Sequence, residues 1–170
     1  MELSEQLENF RKHHAWIREY TLQLLDDLSE DEWYWSPTPA ITHAAWQAGH
    51  IAMAQYGLTL FRQRGRKLED NQLMSGKFRK KFMKGTQPTA NRDDYPSPDE
   101  IKEVLAAVNR QMLTELPNFD NPEHLGELID EPNAGFGNKL GAFMFACDHE
   151  MLHAGQIGLL RRLMGKQPLR

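Results

Sequence analysis

The sequence predicts an all-α protein built as a four-helix bundle, and three observations carry that prediction. Four long segments repeat apolar residues at alternating steps of four and three. Recognisable helix start or stop signals flank them, and no stretch alternates apolar with polar residues as a half-buried strand would. The 170 residues fit one domain, 1–170, long enough to bury a core.

The first helix is expected from about Ser4 to Leu28. Leu3, Leu7, Phe10, His14, Ile17, Thr21, Leu24 and Leu28 form its seam, with Glu5, Glu8, Arg11, Lys12 and Arg18 off it. Ser29 and Glu32 make a capping box that opens a short turn, which Pro37 and Pro39 stop. A second long helix starts with Thr42 as N-cap and runs to about Gly65, its seam reading His43, Trp46, His50, Met53, Gly57 and Leu60. Ser97, Pro98 and Glu100 give the third helix the strongest start in the chain, and Pro117 ends it. Ile101, Leu105, Val108 and Met112 mark its buried stripe. After a long connection over residues 118–138, the last helix begins near Asn138 or Lys139. Arg161, Arg162 and Lys166 suit its negative end, and Gly165 suits the residue beyond it.

Composition excludes several classes. Lysine and arginine total 20 against 24 aspartate and glutamate, so a net charge of -4 gives no global attraction to nucleic acid or anionic membrane. The single cysteine, Cys147, cannot close an internal disulfide, and no signal segment opens the chain, so a cytoplasmic protein is expected. Trp33 to Phe61 lacks Asp, Glu, Lys and Arg, but Pro37, Pro39, His43, Gln47, His50 and Gln55 argue against a membrane span. Arg62 to Lys84 carries nine basic residues with Phe78 and Phe82 between them. That pattern reads as a solvated helix whose phenylalanines pack inward, or as a nucleic-acid or acidic-surface patch.

The last helix concentrates the chemistry. Ala142, Ala146, His149, His153, Gln156, Leu160 and Leu163 share one stripe, which places two imidazoles one turn apart in an apolar seam. Buried imidazoles need partners, which are either neighbouring side chains and carbonyls, making them purely structural core histidines, or a metal ion. His50 lies inward on the second helix, so His50, His149 and His153 can converge from two helices as a three-ligand metal site with an open position. Imidazole suits zinc, nickel, iron or copper alike. His14 is read as a core histidine, with a fourth ligand or proton donor as the alternative. Gln156 is read as an interhelical hydrogen bond or a partner of a metal-bound water. His43 is read as structural or exposed, and Cys147 as a small buried hydrophobe.

WQAGHIA at Trp46 to Ala52, HEMLHAGQI at His149 to Ile157 and the following LLRRL resemble the DinB / YfiT-like superfamily of damage-inducible-type metalloproteins. The resemblance implies an up-down-down-up bundle, a zinc or nickel ion on His50, His149 and His153, and often a homodimer. It further implies a small-molecule substrate and metal-dependent S-transferase or isomerase activity using a low-molecular-weight thiol. The basic 62–84 stretch and the 118–138 connection depart from the pattern. A metal-dependent hydrolase and a non-enzymatic, metal-stabilised, stress-related binding or dimerisation module are the alternatives. No catalytic base is identified.

Overall fold

The structure is a computed structural model, and it describes residues 3–38, 41–89, 91–133 and 135–169. Most of the described chain is helical. Helix α1 (Leu3–Asp26) is followed by the short α2 (Glu30–Tyr34), whose capping box forms as the sequence predicts: Glu32 returns a carboxylate to the Ser29 amide at 2.7 Å. Pro39, expected to help stop this turn, lies outside the described residues. Helix α3 (Ala44–Tyr56) passes through a π-helical turn at Gly57–Phe61 into α4 (Arg62–Arg64) and ends at Gly65, whose φ of 75° favours glycine. Two short helices follow, α5 (Asp70–Leu73) and α6 (Gly76–Phe82), before the long α7 (Pro98–Glu115). The 118–138 connection contains α8 (Pro122–Gly126) and the strands β1 (Leu128–Asn133) and β2 (Phe136–Asn138), and α9 (Lys139–Leu163) closes the chain.

The N-cap of α3 is His43 rather than Thr42. The His43 ring accepts the Trp46 amide through Nδ1 at 3.2 Å, and Thr42 instead accepts from the Gln47 amide group. This buries His43 against Tyr34 and Tyr95, so it is structural and not exposed. The antiparallel pair of β1 and β2 corrects the expectation of a purely helical chain. Its register slips between Leu128 and Asn133, and Pro132 interrupts its pattern, so no clean alternation announces it.

Leu7, Phe10, His14, Ile17, Thr21, Leu24 and Leu28 of the first seam are all buried, and the Leu3 side chain lies outside the described set. The α7 stripe of Ile101, Leu105, Val108 and Met112 is buried throughout. Helices α1 and α9 advance together: Phe10 meets Phe143, Arg18 meets Glu150, and Leu24 meets Arg161. Against α9, α3 runs the other way, with Gln47 beside Gln156 and Gln63 reaching the Lys139 carbonyl. Helix α7 follows α3, through Gln55 to Asn109 and Arg64 to Glu115.

Two charges that the seams left outside are inside. Arg18 is buried in a two-bond pair with Glu150 at 2.7 and 2.8 Å and also donates to Gln55 and to the Leu105 carbonyl. Arg161 is buried as well and donates to the Leu24 carbonyl and to Asp27. Because α9 packs on both α1 and α3, it buries two faces, and the one-seam picture underestimates its core. Leu163, placed on that seam, is exposed. No described helix is long and apolar enough to cross a membrane.

Candidate metal centre

Inside the helices, His50 from α3 meets His149 and His153 from α9. One nitrogen from each ring lies within 4.8 Å of the others, and these three form the group capable of holding a metal among the described residues. The α9 spacing of four brings the His149 and His153 Nε2 atoms to 3.3 Å. Two nitrogens held tetrahedrally by one zinc at about 2.05 Å would stand about 3.3 Å apart, so the pair already has ligand spacing.

The opposite ring nitrogens are committed to oxygen. His50 donates from Nδ1 to the Phe82 carbonyl at 2.6 Å, and His153 donates from Nδ1 to Gln47 Oε1. An oxygen acceptor requires the proton on Nδ1, which leaves Nε2 with a free lone pair for a metal. The Gln47 amide is itself fixed, because Nε2 donates to Thr42 Oγ1 at 2.9 Å and to Gln156 Oε1 at 2.7 Å. Trp46 stacks on His50, with ring centroids 4.8 Å apart and planes inclined by 8°.

Close packing carries the Phe82 carbonyl to its place. Gly49 faces the Phe82 ring so tightly that a Cβ would stand 2.4 Å from Cε1, and Phe82 is fully buried. Phe78 is buried beside it, so the phenylalanines of the basic stretch pack inward and α6 becomes part of the wall.

Burial depresses all three imidazoles. His50 falls below its ordinary value despite the Phe82 carbonyl. Burial and then His50 take His149 to about 4, while burial followed by His149 and His50 takes His153 to about 3. Neutral imidazoles are the form that binds a cation. His50 and His153 are buried, whereas His149 is half-buried and marks the more open side.

The other residues singled out by spacing fall elsewhere. His14 is buried 3.3 Å from the Gln55 amide and 3.5 Å from Glu150, and burial pushes it down to about 4; it is a core histidine. Gln156 serves an interhelical bond to Gln47. Cys147 is buried, and its thiol is pushed up to about 12 by burial and nearby Glu150 and Asp148. Spacing also contained a signal for Gln47, three residues before His50 on the same face, that the sequence reading did not use. The Phe82 carbonyl has no such signal, since any residue supplies one.

Three inward imidazoles on two helices, two with fixed tautomers and all held neutral, define a helical protein with a three-histidine centre able to hold a metal ion. The chain belongs to the DinB superfamily, whose family profile matches residues 13–157. No curated protein matches it.

Proposed function

We propose that the protein is a metal-dependent enzyme in which His50, His149 and His153 hold zinc or nickel, and that it transfers a low-molecular-weight thiol to an electrophilic small molecule. The observation that carries this reading is the convergence of three neutral imidazole nitrogens within 4.8 Å. A bound divalent ion supplies Lewis acidity that keeps a coordinated thiol or water deprotonated at neutral pH. Around it, Phe82 and Gln47 hold two rings in orientation, and Trp46 shields one face of His50. The half-exposed side at His149 is the approach for substrate. The thiol is the cofactor implied by the DinB resemblance.

The same reading takes residues 1–170 as one domain, a four-helix bundle of α1, α3, α7 and α9 in up-down-down-up order. The directions of the Arg18–Glu150, Gln47–Gln156 and Arg64–Glu115 contacts support it. It also places the protein in the cytoplasm and allows a homodimer. The test is elemental analysis of untagged protein purified without chelator, beside His50→Ala and His153→Ala. About one metal per chain, lost in both variants, is the result expected of a single three-ligand site. Folded wild type that holds no metal after reconstitution with zinc, nickel and iron would overturn the reading. Transfer of a thiol to a model electrophile by the loaded protein then tests the activity, and absence of turnover across thiols refutes it.

A further inference from the structure

We propose that the pocket lined by Lys77, Lys80 and Lys81 binds a carboxylate or phosphate group of the small molecule that reacts at the metal centre. The inference rests on the metal reading for its second half only. Gly76, Lys77, Lys80 and Lys81 of α6, together with Thr86 and Gln87, line an open pocket of about 700 Å³. Spacings of three and four put the three lysines on one side of the helix, where like charges repel unless an anion lies between them.

The three lysines share with Lys84 and Lys102 the lack of a carboxylate partner among the described residues, and they alone of these line the pocket together. Lys12, Lys67, Lys139 and Lys166 each reach a carboxylate. Among the described residues Lys77 and Lys80 have no ion pair, and Lys81 has only the Tyr95 ring at 4.9 Å. Three ammonium groups without an ion pair, with a hydroxyl and an amide beside them, match a compact anion.

The pocket adjoins the centre through two connections. Thr86 accepts the Trp46 indole N–H at 3.1 Å, and Trp46 is the ring stacked on His50. The helix bearing the lysines ends at Phe82, whose carbonyl holds His50 Nδ1. The Thr86 hydroxyl and the Trp46 indole therefore stand between the lysine pocket and His50, and the proposed molecule would pass beside them to reach the side open at His149. A polyanion fits less well. Phe78 and Phe82 are buried and offer no stacking surface, and Lys77 and Lys81 also border a smaller cavity with Asp93, Asp94 and Glu100.

The test has two arms. In the first, metal-free protein is titrated with inorganic phosphate and with succinate, following the Trp46 indole resonance assigned through Trp46→Phe. Saturable binding by either anion, weakened about tenfold or more in a Lys77→Met, Lys80→Met, Lys81→Met variant, is expected, and the stronger anion identifies the group. Equal binding by the variant, or none by wild type, overturns the subsite while leaving the metal centre standing. In the second arm, zinc-loaded protein is offered mercaptosuccinate and 2-mercaptoethanol. Tighter binding of mercaptosuccinate, with the preference lost in the triple variant and 2-mercaptoethanol unaffected, supports the link to the centre. Failure to load zinc, or equal binding of the two thiols, overturns that link. Salt-steep binding of a DNA oligonucleotide through the same lysines, without phosphate or succinate binding, would replace the small anion with a polyanion surface.

Discussion

Replacing Gln47 with leucine isolates what the amide around His153 contributes. Gln47 accepts from His153 Nδ1 and donates to Thr42 at 2.9 Å and Gln156 at 2.7 Å, all within a buried site. Leucine has similar bulk and none of these bonds. Without metal, the loss of three neutral hydrogen bonds at about 1 kcal/mol each lowers stability by roughly 2–3 kcal/mol. With metal, His153 loses the acceptor that fixes its tautomer, and outer partners of this kind are worth about 10–100-fold in metal affinity. That range equals about 1.4–2.7 kcal/mol. Gln47→Glu keeps an acceptor for His153 but loses the donor to Gln156, so it should recover affinity without recovering all the stability. A zinc competition titration against a chromophoric chelator reads the first quantity, and urea unfolding of the metal-free protein reads the second. Wild-type zinc affinity in a folded Gln47→Leu protein would refute the reasoning, because His153 would then need no oriented partner.

Two further outcomes follow from packing and charge elsewhere. Gly49→Ala drives a methyl into the Phe82 ring and should destabilise by about 1–3 kcal/mol while weakening metal retention; Gly57→Ala, where a Cβ meets nothing within 4 Å, is the control. Equal zinc content and stability in both would show that α6 is not held through that contact. Burial is the largest single influence and pushes Asp70 and Glu115 up, but Arg64 acting with the Lys67 amide and Tyr56 on Asp70, and with Gln111 and Lys67 on Glu115, holds both carboxyls at about 2. Carboxyls depressed below their unfolded values stabilise the fold above about pH 4.5, and this contribution fades as pH falls toward about 2. Arg64→Met should therefore cost about 3–5 kcal/mol near neutrality and flatten the acid limb of stability in that window. An unchanged acid limb in denaturant titrations across pH would count against it.

The helix seams and the three histidines were legible because periodicity and side-chain type are both properties of the chain itself. Ser29 with Glu32, Ser97 with Glu100, and Asn138 announced their helices by chemistry that acts within three residues. What the sequence concealed depends on distant partners. Arg18 looks like a surface charge until Glu150 arrives from a distant part of the chain, and Leu163 shares the apolar stripe of α9 yet is exposed. His43 displaced Thr42 as a cap because its ring also had an apolar corner to fill between Tyr34 and Tyr95. The hairpin of β1 and β2 was hidden by its brevity and slipped register. The support of His50 was hidden most completely, since a backbone carbonyl carries no residue signature.

The pairing of α1 with α9 also sets conditions on how the chain comes together. Arg18 and Glu150 are 132 positions apart, and the carbonyl of Leu24 is bound by an arginine 137 positions away. Contacts of that range close late, since the loop entropy of the intervening chain must be met before they return anything. Until α9 is made, the growing chain presents α1 with an open apolar seam and a guanidinium that has no carboxylate, and two of the three imidazoles do not yet exist. Both the core and the histidine cluster are thus completed by α9, so the chain is most exposed to aggregation until that helix joins α1 and α3.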